Sequence, residues 1–162
     1  AFNQIFKHDI ENYHLKYIGV DISKAMLNKG EEFSKTELFL ENTYFNFIKS
    51  IKDRNEGVME EFYRLSNTVI LNFSYIFANL DSEQTNDLAL EINKMVADFP
   101  LNKYIIVYQN PKHRHHNFTK FKNRLKGFGN SIVRKSETVS YKNNEQSRYD
   151  KSETYTYEIL TN

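Results

Sequence analysis

The order of predicted elements makes this chain an α/β domain, with a mostly parallel sheet, helices on both faces and an antiparallel hairpin at one edge. Two observations predict it. Short apolar runs of strand length alternate with amphipathic stretches of helical period as far as residue 126. Two alternating segments then follow one another at the end of the chain, as an antiparallel pair does. At 162 residues and 40% hydrophobic, the chain has one domain's length and can bury an ordinary core, so residues 1–162 are expected to form a single domain.

Phe2, Ile5, Phe6 and Ile10 recur at helical spacing and predict a helix over residues 1–12. Leu15 to Asp21 is a short apolar run suited to a buried parallel strand. Ser23 can cap a helix from Lys24 to about Phe33, and Thr36 to Leu40 is the next strand candidate. A helical stretch from Phe47 to Leu65 comes next, interrupted near Gly57, and then Thr68 to Phe73 as the strongest strand. Asp81 and Gln84 have capping-box spacing at the head of a helix that runs to Phe99 and is ended by Pro100. Lys103 to Tyr108 reads as a buried strand, and Asn117 as the cap of a helix to Lys126, stopped by Gly127 and Gly129. Ser131–Lys142 and Ser152–Leu160 form the closing hairpin.

Composition narrows the function classes. The sequence has no Cys, so neither a disulfide framework nor a thiolate metal site is available, which fits a cytoplasmic protein. No apolar run approaches the roughly 18–20 residues needed to cross a bilayer. The net charge of +1 conceals an asymmetry. Residues 1–102 hold 10 Lys/Arg against 16 Asp/Glu, residues 103–135 hold nine and no acid, and residues 136–162 hold three against five. The acid-free block is a basic patch candidate, with Lys120-Phe121-Lys122 interleaving an aromatic with charges. It reads equally as a solvated helix face, with Phe121 and Leu125 turned inward.

The ligand side of an open α/β sheet lies beyond the carboxyl ends of its strands. After the first strand comes Asp21, whose carboxylate can accept hydrogen bonds from both hydroxyls of a ribose or can cap the next helix. The run Tyr17-Ile18-Gly19-Val20-Asp21-Ile22-Ser23-Lys24-Ala25-Met26-Leu27 resembles the second motif of class I S-adenosylmethionine-dependent methyltransferases. The resemblance implies a Rossmann-like three-layer sandwich, S-adenosyl-L-methionine as cofactor, Asp21 on its ribose and Ile22 on its adenine. It also implies an adenine reader after the third strand, where Asn42 is the choice and a turn residue the alternative. Asn72-Phe73-Ser74-Tyr75 follows the strongest strand, where the family faces both donor and acceptor. Its first and last positions match an Asn/Asp-Pro-Pro-aromatic motif, and Phe73 and Ser74 replace the prolines. Asn72 and Phe73 are therefore candidate cofactor contacts and Tyr75 a candidate acceptor contact.

The family's first strand and Gly-rich turn should precede the opening helix, and nothing precedes Ala1. The chain is accordingly expected to be an N-terminally incomplete piece of a longer domain. An NAD-dependent oxidoreductase also carries an acid after its second strand, but the terminal hairpin favours the methyltransferase arrangement. A non-catalytic module that kept the fold is a further alternative. The methyl acceptor, a small molecule or a nucleic acid, would meet Lys112 and Arg114 in the loop after Lys103–Tyr108. His113-Arg114-His115-His116 is set aside as a metal site, because adjacent residues rarely converge on one ion and no acid lies nearby in sequence. No G-x-S-x-G pattern is present to suggest a nucleophile elbow.

Overall fold

The computed structural model describes residues 16–36, 39, 43–50, 64, 66–114, 116–129, 131–141 and 151–162. The chain divides into two compact units, Ala1–Phe62 and Tyr63–Asn162.

In the first unit, strand β1 (Lys16–Val20) is followed by helix α1 (Lys24–Ser34) and strand β2 (Tyr44–Ile48). The two strands form a parallel pair, Lys16 opposite Tyr44 and Val20 opposite Ile48. Ser23 caps α1 as its sequence suggests, its hydroxyl accepting from the Met26 amide at 3.4 Å. The packing is aromatic: Phe39 meets Phe33 and Phe45 edge-on at 5.2 and 4.8 Å, and Tyr17 tilts against Phe45 at 5.9 Å. Gly19 allows this closeness, since a Cβ there would come within 2.6 Å of the Phe47 ring. The strand forms at Tyr44–Ile48, whose aromatic and β-branched residues fit a pleated surface. This overrides the predicted helix start at Phe47. The strand candidate Thr36–Leu40 lies largely outside the described residues, as do the predicted helix over 1–12 and most of that over 47–65.

The second unit holds strands β3 (Thr68–Ser74), β4 (Lys103–Pro111), β5 (Val133–Tyr141) and β6 (Lys151–Thr161), with helices α2 (Ser82–Asp98) and α3 (His116–Lys122). Short 3-10 turns occupy Ile76–Ala78 and Lys112–Arg114. The strand order is β3-β4-β6-β5. Only β3 and β4 run parallel, joined by the right length of crossover through α2. The last strand inserts antiparallel between β4 and β5.

The predicted Rossmann-like sandwich with a mostly parallel sheet is therefore incorrect. The described strands form two sheets, a parallel pair and a mixed four-stranded sheet. Strand–helix alternation reports how successive elements connect, but not whether distant strands join one sheet. Helices on both faces also fail for the four-stranded sheet. Tyr104 of β4 donates its hydroxyl to the carbonyl of Met95 or Phe99, each 3.1 Å away, at the end of α2. Tyr108, two turns of pleat further on the same face, stacks on Phe118 of α3 at 3.6 Å. Both described helices of this unit thus cover one face. Its core is Tyr104, Ile106, Tyr108 and Leu160 from the sheet against Ile92, Met95, Phe118 and Phe121 from the helices.

Asp81 and Gln84 form the predicted capping box: the Asp81 carboxylate accepts from the Gln84 amide at 2.8 Å, and the Gln84 side chain accepts from the Asp81 amide at 3.0 Å. Asp81→Ala should remove about 1 kcal/mol of stability, measurable by urea unfolding. An unchanged midpoint would mean that α2 does not depend on this end. Asn117 does not cap α3. It is buried within the helix, and its amide donates to the Leu80 carbonyl at 2.6 Å, tying α3 to the segment between the Ile76–Ala78 turn and α2. Among the described residues no helix is long and apolar enough to cross a membrane.

Candidate functional site

In the first unit Asp21 leaves β1 as the motif suggests. Its backbone amide donates to the Ile48 carbonyl at 3.2 Å, continuing the parallel pairing. One carboxylate oxygen accepts from the Ser23 amide at 2.7 Å. That contact closes a local turn ahead of the helix, whose cap is Ser23, and fixes the carboxylate at the strand end. Ile22, beside it, is 92% exposed. Asn42 lies outside the described residues.

In the second unit the carboxyl end of β3 carries the other candidates. Successive residues of a strand alternate faces, so Asn72 and Ser74 share the side opposite the helices while Phe73 points into the core. The Ser74 hydroxyl donates to the Asn72 side-chain oxygen at 3.0 Å. Phe73 packs edge-on against Phe77 and Phe121 at 5.6 and 5.5 Å. Asn72 and Phe73 are therefore held on opposite faces of one strand.

Tyr75 is the conformational outlier of the described chain, the one non-glycine residue with positive φ, at 63°. For a bulky side chain this left-handed geometry is strained by roughly 1–3 kcal/mol and persists only where its surroundings enforce it. Here its amide donates to the Gln109 carbonyl at 2.9 Å, extending the β3–β4 ladder one residue past the strand. Its ring, 44% exposed, meets Tyr155 of β6 edge-on at 5.9 Å. A hydrogen bond between the Tyr75 and Tyr155 side chains, helped by burial and the Glu153 charge, pushes the Tyr155 hydroxyl up to about 12. The Tyr155 phenol is therefore neutral at ordinary pH, able to donate and to accept a hydrogen bond.

Next to it, His113 of the second 3-10 turn lies 3.1 Å from Glu153 of β6, ring Nδ1 to carboxylate. Lys112 is exposed on the same turn. Arg114 ends that turn, and its side chain is outside the described residues. The end of the sheet thus gathers Asn72, Ser74, Tyr75, Tyr155 and a His–Glu pair. It can orient an acceptor through hydrogen-bonding groups. Tyr155, His113 and Glu153 were not foreseen as neighbours of Tyr75. The only sequence signal was the predicted hairpin, which gives no register against β4; observed pairing sets Pro111 opposite Tyr155.

Among the described residues no group of three or more His, Asp or Glu converges to hold a metal ion. The donor set does fit the implied cofactor in kind: a fixed carboxylate suits a ribose diol, and an exposed aliphatic side chain beside it suits an adenine face. No family model, curated protein or solved structure matches the chain.

Proposed function

We propose that this protein binds S-adenosyl-L-methionine and transfers its methyl group to an acceptor. The observation that carries the reading is the strained Tyr75, because strain of this kind collects where a site must hold a side chain in one pose. It falls in the segment whose sequence is similar to the methyltransferase acceptor motif. The cofactor, when bound, supplies a methyl activated by a sulfonium. In the first unit Asp21 would accept hydrogen bonds from the ribose and Ile22 would meet the adenine, whereas Phe73 of the second unit is packed into the core and meets no ligand. Tyr75, with Tyr155 fixing its ring, orients the acceptor, and Lys112 and Arg114 attract a negatively charged one. Positioning would carry most of the rate, since displacement at a sulfonium needs little acid–base help. A small molecule or a nucleic acid remains the acceptor class. A chain without cysteine suits the cytoplasm.

Calorimetry on the full-length protein should give S-adenosylmethionine binding that Asp21→Ala weakens by about 1.5–3 kcal/mol, the scale of hydrogen bonds to a charged group. Unchanged affinity in a folded variant sinks the role of Asp21. A second reading is a binding module without chemistry. It requires that no methyl transfer accompany binding.

A further inference from the structure

Glu158 of β6 is fully buried, and an ionised carboxylate is stable there only with close partners. It has two cations. Lys122, the last residue of α3, sits 2.9 Å from one oxygen, and Arg134 of β5 approaches the other through Nε at 3.2 Å. The Ser131 hydroxyl also donates to the first oxygen at 2.9 Å. Among the described residues, two cations face this one carboxylate, an excess of one positive charge. The excess faces outward: the side chains of Lys122 and Arg134 are 28% and 64% exposed.

These two side chains line an open cleft of about 580 Å³ together with Asn123, Phe128, Gly129 and Ser131. All six lie in the acid-free stretch 103–135. The wall between α3 and β5 is tied down along its length. Asn93 of α2 donates to the Arg124 carbonyl and accepts from the Lys126 amide, both at 2.8 Å. Further on, the Gly129 amide donates to the Thr161 carbonyl at 3.0 Å and the Ile132 amide to the Ile159 carbonyl at 2.9 Å. Gly129 leaves its side of the cleft open, since a Cβ there would meet nothing nearer than 3.8 Å. The backbone of the cleft and the hydrogen-bonded Lys122 are thus in place before any ligand arrives, which lowers the ordering cost of binding, while Arg134 lies beside them with its side chain largely in solvent.

We propose that this cleft binds an organic phosphate monoester of small-molecule size. A guanidinium engaged through Nε still presents its terminal nitrogens, whose planar fork matches phosphate oxygens. Lys122 adds a second charge, Asn123 and Ser131 add polar groups, and Phe128 offers an apolar wall to the ligand's carbon portion. The volume falls in the range of about 300–1,000 Å³ usual for small-ligand sites. The assignment is independent of methyl transfer, because none of these residues belongs to the Asp21 or Tyr75 segments.

The test is titration of the full-length protein with adenosine 5′-monophosphate, adenosine and inorganic phosphate, followed by calorimetry and NMR. The monophosphate should bind at least 10-fold more tightly than adenosine, phosphate should compete with it, and 0.5 M NaCl should weaken it. Arg134→Gln should reduce the affinity at least 10-fold, and Arg134→Lys, which keeps the charge beside Glu158, should reduce it less. Equal binding of adenosine and its monophosphate overturns the proposal, as does unchanged affinity in folded Arg134→Lys and Arg134→Gln proteins or no binding of either phosphate. A labelled 12-mer of thymidylate provides the last arm. Tight binding of the 12-mer that adenosine monophosphate cannot displace would give the cleft to a nucleic-acid backbone and overturn the small-ligand assignment.

Discussion

Phe118→Ala should remove about 3–5 kcal/mol of stability, the usual range for deleting a buried phenyl ring. Phe118 is fully buried, lies flat on Tyr108 with 6° between the rings, and meets Phe77 at 5.3 Å and Phe121 at 6.1 Å. The loss is therefore both transferred apolar area and several ring–ring contacts, each worth about 0.5–1.5 kcal/mol beyond area. Neighbouring rings cannot collapse into the space without leaving their own partners. Phe121 is already edge-on to Phe73, and Tyr108 is fixed in the ladder to β3 and β6. Urea unfolding followed by circular dichroism measures the change. A loss below about 1 kcal/mol would mean that α3 is not docked on this face.

Lys122→Met should remove about 3 kcal/mol, the lower end of the range for stranding one member of a buried pair. Truncating the lysine leaves the Glu158 carboxylate with Arg134 and Ser131, and Arg134 is largely in solvent. Glu158→Gln should be milder, because the released cations can turn towards water. The double variant Lys122→Met/Glu158→Gln should recover most of the loss, giving a coupling well above the few tenths of a kcal/mol seen between independent sites. Strict additivity in the cycle would show that the pair contributes nothing to folding.

Elements governed by local pattern were legible in the sequence. The capping box at Asp81 and Gln84, the strand before Asp21 and the apolar runs at Thr68 and Lys103 all rest on neighbours within a few residues. The strand that ends at Ser74 was legible for the same reason. What was not legible depends on long-range pairing. Nothing near Glu158 announces Lys122, which lies 36 positions away. Nothing near Tyr155 announces Tyr75. Asn117 reads as a cap by type, yet its amide is drawn to the Leu80 carbonyl, 37 positions distant. The fold class failed at that same level. Alternating elements specify crossovers, whereas the grouping of strands into two sheets is decided by which edges meet.

The position of β6 bears on how the second unit comes into being. It is synthesised after all its partners, yet it sits between β4 and β5. Among the described strands, until it emerges β4 is paired only with β3 and β5 has no partner. Closure must wait for a contact such as Ile105 with Thr161, across 56 positions of chain. Non-local pairing of this kind is slow, and the waiting edge of β4 is a template for strands of other chains. A chain cut short before residues 151–161 would leave that adhesive seam open. The packing of α3 on Phe73, Phe77 and Tyr108 can form before that moment, but the four-stranded sheet cannot close.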